Sequence, residues 1–310
     1  MFAPAPLVDI RSEVLAVAAF GDRPGIAAAE LPAAADAGES WLRAVVMGGQ
    51  GHYAAARAQL RRIRALTTDP VLLSLAASTE GSLLRQLGWH ARASVADGRA
   101  VALLSDGPLL GGANPDAVVT SAVPAEQPGA LELSEPWTLA EFAARPDRVA
   151  ALCDALTGLA ADALGTGRTA LATRLLRRVE KVLDARHPRA MIRWHWVSAE
   201  TALAAGRPES ATIHADAALA LAEQCPSTRH RVKSLLLVAA AAMTRGDEVA
   251  AAEVAGEVAA RCREHELLPL GWACAMLRTG LSDSSAADEA AACGAAIARR
   301  GGHFRPFGAD

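Results

Sequence analysis

Five glycines set the frame for this chain. Gly51, Gly88, Gly167, Gly206 and Gly246 stand 37, 79, 39 and 40 residues apart, so the long step spans about two of the others. Each lies where a helical apolar pattern stops. Glycine is favoured there because it takes up the left-handed conformation that ends a helix. The same small residues return around each of them. Seven positions before come Ala44, Gly81, Ala160, Ala199 and Ala239, and five after come Ala56, Ala93, Ala172, Ala211 and Ala251. Twelve after come Ile63, Ala100, Val179, Ala218 and Val258. A repeat of this length is one helix–turn–helix unit, which buries its apolar face only by stacking on its neighbours. Small residues at fixed places let the two helices of a hairpin, and the next helix, approach closely.

Composition agrees with this reading. About a quarter of the chain is alanine, the strongest helix former because it loses no side-chain entropy. Hydrophobic residues make up 52% and aromatic ones only 4%, which excludes a disordered chain. No segment alternates with period two, so no sheet is expected. Helices are expected at 10–20, 24–36, 39–49, 52–66, 70–87, 89–104, 146–165, 168–186, 189–205, 208–224, 227–245, 248–265, 268–279 and 284–299. Asp69-Pro70, Arg145-Pro146, His187-Pro188 and Cys225-Pro226 mark helix starts, where the missing N–H of proline costs nothing.

The net charge of −3 and the absence of any domain-wide positive excess argue against a general nucleic-acid binder. The most apolar run, Leu235–Met243, is far shorter than the ~20 residues of a membrane-spanning helix. The N-terminal residues lack a basic stretch followed by a clean apolar one, so no secretory signal is expected. Five scattered cysteines, an odd number, read as reduced and mostly buried thiols of a bacterial cytoplasmic protein.

The small and apolar residues recurring around glycine turns resemble the tetratricopeptide repeat over most of residues 39–266. The best unit is 74–107, with Gly81, Leu84, Gly88, His90, Ala93 and Ala100 in matching places, and Gly51-His52-Tyr53 supplies the Gly-x-aromatic turn. Steps of 37 to 40 exceed the family's ~34, and the closing proline is displaced into the next helix start. The resemblance implies an all-α, right-handed superhelical solenoid of antiparallel helix pairs, about seven hairpins, with terminal pairs at 10–36 and 268–299 acting as caps.

The organisation read from this is N-terminal helical repeats over 1–104, an insertion over 105–145, C-terminal repeats over 146–300 and a tail over 301–310. The insertion is rich in proline and glycine, and its charges are nearly all acidic, from Asp106 to Glu141 against Arg145. A connection this long is uncommon in a compact domain. Short helices are expected at 115–121 and 137–144, and the charge suggests a lid over a basic groove.

The resemblance also implies a concave face lined by the first helix of each pair, with side chains at fixed positions pointing into it. Those positions carry Trp41 and Val45, then Ser78, Ser82 and Arg85, then Arg193, Trp196, Glu200 and Leu203, then Lys233, Leu236, Ala240 and Met243. Two basic clusters fall in adjacent repeats: Arg193-Trp194-His195-Trp196 and Arg229-His230-Arg231-Val232-Lys233. Arginine beside tryptophan suits a carboxylate or an acidic peptide, through paired hydrogen bonds and an apolar platform. The partner-binding set is therefore Arg193, Trp196, Glu200, Arg229, Lys233, Arg85 and Trp41. Carboxylate-clamping members of the family use Asn with Lys, whereas the one asparagine here, Asn114, lies in the insertion. Trp194 and Trp196 are two apart and cannot share a helix face, so one of them belongs to the core.

No catalytic motif stands out. Gly165-Thr166-Gly167-Arg168-Thr169 lacks the lysine and preceding strand of a phosphate loop, and no Gly-x-Ser-x-Gly elbow occurs. Cys262, His265 and Cys274 offer three soft ligands where structural zinc takes four. The sequence thus reads as a non-catalytic protein- or peptide-binding scaffold without cofactor or metal, able to form a homodimer. The alternative is a regulatory sensor that binds a small peptide or ligand and controls a separate protein.

Overall fold

The computed structural model describes residues 10–105 and 136–306. Among them the chain is entirely helical, with no strand. After α1 (Ile10–Phe20), the helices come in hairpins: α2 (Ala37–Gly49) with α3 (Tyr53–Leu66), and α4 (Pro70–Arg85) with α5 (His90–Ala102). A short α6 (Leu139–Ala143) precedes α7 (Arg148–Gly165), which pairs with α8 (Thr169–Glu180). The series continues with α9 (Pro188–Ala204) and α10 (Pro208–Glu223), α11 (Thr228–Thr244) and α12 (Glu248–Glu264), then α13 (Leu268–Gly280) and α14 (Ala286–Arg299).

The glycine frame is realised in the backbone. Gly51, Gly88, Gly167, Gly206 and Gly246 all have φ between +65° and +82°, each just beyond a first helix. The residues five and twelve positions after each of them are 0% exposed in every unit. Those alanines and β-branched residues form the contact between the two helices of a pair and the helix that follows. Two connections turn without glycine: Glu266 (φ 53°) between α12 and α13, and Ser282 (φ 62°) in the turn of the α13–α14 hairpin.

One expected helix is missing. Residues 24–36 form turns and extended chain, so α1 has no hairpin partner and six pairs follow it. Pro24, Gly25 and Pro32 disfavour a helix here. Polar side chains also take the carbonyls that a helix would use. The Gln50 amide donates to the Pro24 and Ile26 carbonyls (2.8 and 2.7 Å), Arg43 to Leu31 (2.8 Å) and Pro32, and Arg62 to Ala34 (3.1 Å). α8 likewise stops short of the expected residue 186. The expected helix at 115–121 lies outside the described residues.

The first helices of successive pairs pack side by side in the order α2, α4, α7, α9, α11, α13, and α13 packs back on α2. The array therefore closes on itself. Three sets of contacts seal the closure. The Thr228 N–H donates to the Gly21 carbonyl (3.1 Å), tying α11 to the end of α1. Leu268 and Pro269 press on Gly51. The tail crosses the outer helices of the first two pairs. Ala54 N–H donates to the Arg300 carbonyl (3.0 Å), Arg305 N–H to Leu87 (2.8 Å), and Trp89 Nε1 to His303 (2.8 Å). His52 gives α3 no side-chain cap, so the Arg300 carbonyl serves a donor that the helix start leaves open.

Candidate functional site

Inside the closed array, the inner faces of α2, α4, α7, α9 and α11 surround a recess of about 70 Å³. Helical spacing delivers its side chains. Trp41, Val45 and Gly48 lie one turn apart on α2, and Ser78 and Ser82 do so on α4, with Gln86 at its C-cap. Arg189 and Arg193 are four apart on α9, Arg229 opens α11, and Asp154 comes from α7. Phe20, the last residue of α1, plugs one side.

Three guanidinium groups meet there with one carboxylate. Arg193 Nε lies 3.0 Å from Asp154 Oδ1. Arg189 lies over the Phe20 ring at 4.3 Å and near Trp41 and Phe142 at 5.8 and 6.0 Å, a cation–π arrangement on three faces. Its Nη2 donates to the Ala144 carbonyl (2.7 Å), while its Nη1 is buried without a hydrogen-bond partner. Arg229 makes only a long contact to the Val45 carbonyl (3.4 Å) and rests against Gly49, where an added Cβ would come within 3.3 Å of it. Burial pushes Arg189 and Arg229 down to about 10, Arg193 adding to the effect at both and Arg189 at Arg229, so both remain charged at neutral pH.

His230 is held neutral. Burial lowers its pKa well below the ordinary value, and Arg229, Arg189 and Arg193 lower it further. Its Nδ1 meets Ser227 Oγ at 2.7 Å. Its ring stacks on Trp196 (5.3 Å, 26°) and receives the edge of Phe142 (5.2 Å, 86°). Phe142 belongs to α6, which a Thr138–Glu141 capping box stabilises and Trp137 N–H anchors to the Gln224 carbonyl (2.8 Å). The described end of the insertion thus reaches the inner face, where the sequence suggested a lid; 106–135 lie outside the described residues. Behind it is a second recess of about 160 Å³ that shares Asp154 and Arg189 with the first.

The sequence-selected residues fall into three groups. Trp41, Arg193 and Arg229 line the recess, together with Val45, Ser78 and Ser82. Trp196, Glu200 and Lys233 lie further along α9 and α11. There Lys233 Nζ pairs with Glu200 (2.8 Å), and Trp196 Nε1 donates to Ser234 Oγ (2.8 Å). Arg85 points away from the recess into the α4–α5–α7 interface. Its Nη1 bridges Asp97 (2.9 Å) and Asp162 (2.6 Å) and donates to the Gly158 carbonyl (2.9 Å). Both carboxylates are fully buried. Burial raises the Asp97 pKa, and Asp162 raises it further against the pull of Arg85.

Arg189, Asp154, Phe20, Phe142 and His230 were not among the selected residues. Arg189 was within reach, being one turn before Arg193, and His230 sits inside a cluster the sequence already marked. Nothing near Asp154 or Phe20 in the sequence marks them. Among the described residues no group of three or more His, Cys, Asp or Glu is arranged to hold a metal ion. Cys262 and Cys274 are buried, their thiols pushed up to about 12 and 11 chiefly by burial. No described helix is long and apolar enough to cross a membrane. No family model matches the chain, and no curated protein does so significantly.

Proposed function

We propose that this protein is a non-catalytic recognition module of tetratricopeptide-like, right-handed design, working in the bacterial cytoplasm, and that it binds an anionic ligand in the arginine-lined recess. One observation carries this reading: among the described residues, three guanidinium groups converge on a recess that offers them a single carboxylate. Buried cations are normally paired, since removing them from water is costly. An arrangement that leaves Arg229 and one arm of Arg189 underused favours a state in which an anion completes them.

The closure of the array bears on what that anion is. An open groove for an extended peptide needs a free inner face, but Phe20, α6 and the α13–α2 contact occupy much of this one. The geometry therefore favours the sensor reading, a small ligand or the charged end of a peptide, over a scaffold that grips a long segment. Ligand contacts to α2, α4, α9 and α11 at once would couple occupancy to the closure, which is how a ligand signals through such a fold.

Non-denaturing mass spectrometry of the protein isolated from its own host tests this reading. A bound species carried by the wild type and absent from a folded Arg193→Glu/Arg229→Glu variant supports it. The same species on both, or none on either, overturns it.

A further inference from the structure

Resting on that reading, we infer that the recess is a phosphate-group site, and that its ligand is a small phosphomonoester whose remaining part lies in the adjoining recess beside Arg189. Three features lead there. The first is charge. Among the described residues, Arg189, Arg193 and Arg229 against Asp154 leave an excess of two positive charges. A phosphomonoester dianion matches that excess, whereas a single carboxylate leaves half of it unmet.

The second is donor chemistry. Among the described residues every cation in the recess is an arginine, whose planar fork pairs two N–H groups with two oxygens of one anion. The opposite wall, on α4, adds the hydroxyls of Ser78 and Ser82, which a four-oxygen group can use. In the absence of a ligand these make only long contacts: Ser78 Oγ donates to the Leu75 carbonyl at 3.4 Å, and Ser82 Oγ accepts from Gln86 at 3.4 Å.

The third is size. A recess of about 70 Å³ holds about five water positions, the scale of a five-atom tetrahedral anion rather than a peptide segment. The adjoining recess, about 160 Å³, shares Arg189 and Asp154 and gives room for a small organic body against Phe142 and Pro188. Arg189 is held among the Phe20, Trp41 and Phe142 rings, and its Nη1 is left with no hydrogen-bond partner.

Isothermal titration of the full chain with inorganic phosphate, phenyl phosphate, sulfate and succinate tests the inference. The expected result is saturable one-to-one binding of phosphate and tighter binding of phenyl phosphate. Arg229→Met should weaken both by about tenfold or more, the loss of charge-assisted hydrogen bonds to one arginine. Its ligand-free thermal midpoint should not fall below wild type, since a repelling cation is removed. Arg229→Lys keeps the charge without the fork, guards against a folding defect, and should lie between the two. Equal binding of inorganic and phenyl phosphate would overturn the phosphomonoester assignment and leave a free-phosphate site. Succinate binding that depends on Arg229, with no response to either phosphate, would overturn the phosphate assignment and leave the anion reading intact. Phosphate binding unchanged in both variants, or no anion binding that depends on Arg229, would overturn the two together.

Discussion

Arg85 supplies the sharpest test of how the repeats are held together. From α4 its guanidinium reaches two carboxylates and a carbonyl on two other helices, α5 and α7, at 2.6 to 2.9 Å, and both carboxylates are 0% exposed. Arg85→Met keeps most of the stem and removes the charge. Asp97 and Asp162 are then left facing each other without a cation, and the Gly158 carbonyl loses its donor. Breaking a buried pair from one side costs about 3–5 kcal/mol, because the remaining charge cannot be hydrated. Proton uptake by one carboxylate limits the loss to the lower part of that range. For a chain of 310 residues, about 3 kcal/mol corresponds to a fall of roughly 5 °C in thermal midpoint. Adding Asp97→Asn and Asp162→Asn should recover a large part of it, since the uncompensated charges are gone. Circular dichroism melts of the single and triple variants decide the matter. A single variant within about 1 kcal/mol of wild type, or a triple variant no better than the single, would refute the argument that the trio is a mutually dependent buried unit.

The same trio sets a pH dependence. The folded-state pKa of Asp97 is raised to about 7 from an ordinary 3.8, so the folded protein binds more protons than the unfolded chain between those values. Stability contributed there is present at low pH and is lost as pH rises through about 7; Asp97→Asn should flatten that decline in melts from pH 5 to 8. Gly158→Ala would place a Cβ 2.5 Å from Asp97 Oδ2 and should destabilise by about 1–3 kcal/mol, whereas Gly98→Ala, whose Cβ meets nothing, should not. At the closure, Gly302→Ala would drive a methyl to 2.5 Å from the Tyr53 ring; hydrogen exchange at the start of α3 should accelerate if the tail holds it, and unchanged protection there would show that it does not. Phenyl phosphate affinity should rise as pH goes from 5.5 to 7, because a phosphomonoester takes its second charge near pH 6, while sulfate affinity stays nearly flat; Arg189 and Arg229, at about 10, stay charged and His230 stays neutral over that range.

The fold was largely legible because its repeat is enforced by sterics that act on single residues. A glycine at each left-handed turn and a small residue at each crossing are local requirements, so Gly167, Ala172 and Val179 announce one hairpin with no knowledge of the others. Residues 24–36 misled for the opposite reason. Their alanines favour a helix, but Gln50, Arg43 and Arg62, distant in sequence, take their carbonyls. Arg85 carries the same lesson at the site. Its register on α4 fits an inward-facing position, yet Asp97 and Asp162 lie on the other side and electrostatics draw it to them.

Ring closure was the least legible feature, and it is the one that makes a pocket. A repeat sequence specifies how each pair meets the next, not the turn at which the last meets the first. Closure rests on singular contacts outside the repeat, such as Thr228 to Gly21 and Gly302 on Tyr53. Those contacts bring Arg229 of α11 against Gly49 of α2, nearly two hundred residues apart in the chain, and so enclose the cationic wall that α9 and α11 carry. The three arginines stand on the neighbouring helices α9 and α11, and the closure sets α2 over them. On the proposed reading, a ligand that bridges these arginines to α2 and α4 would tighten the ring, and a mutation that loosens the tail would weaken the site without touching it.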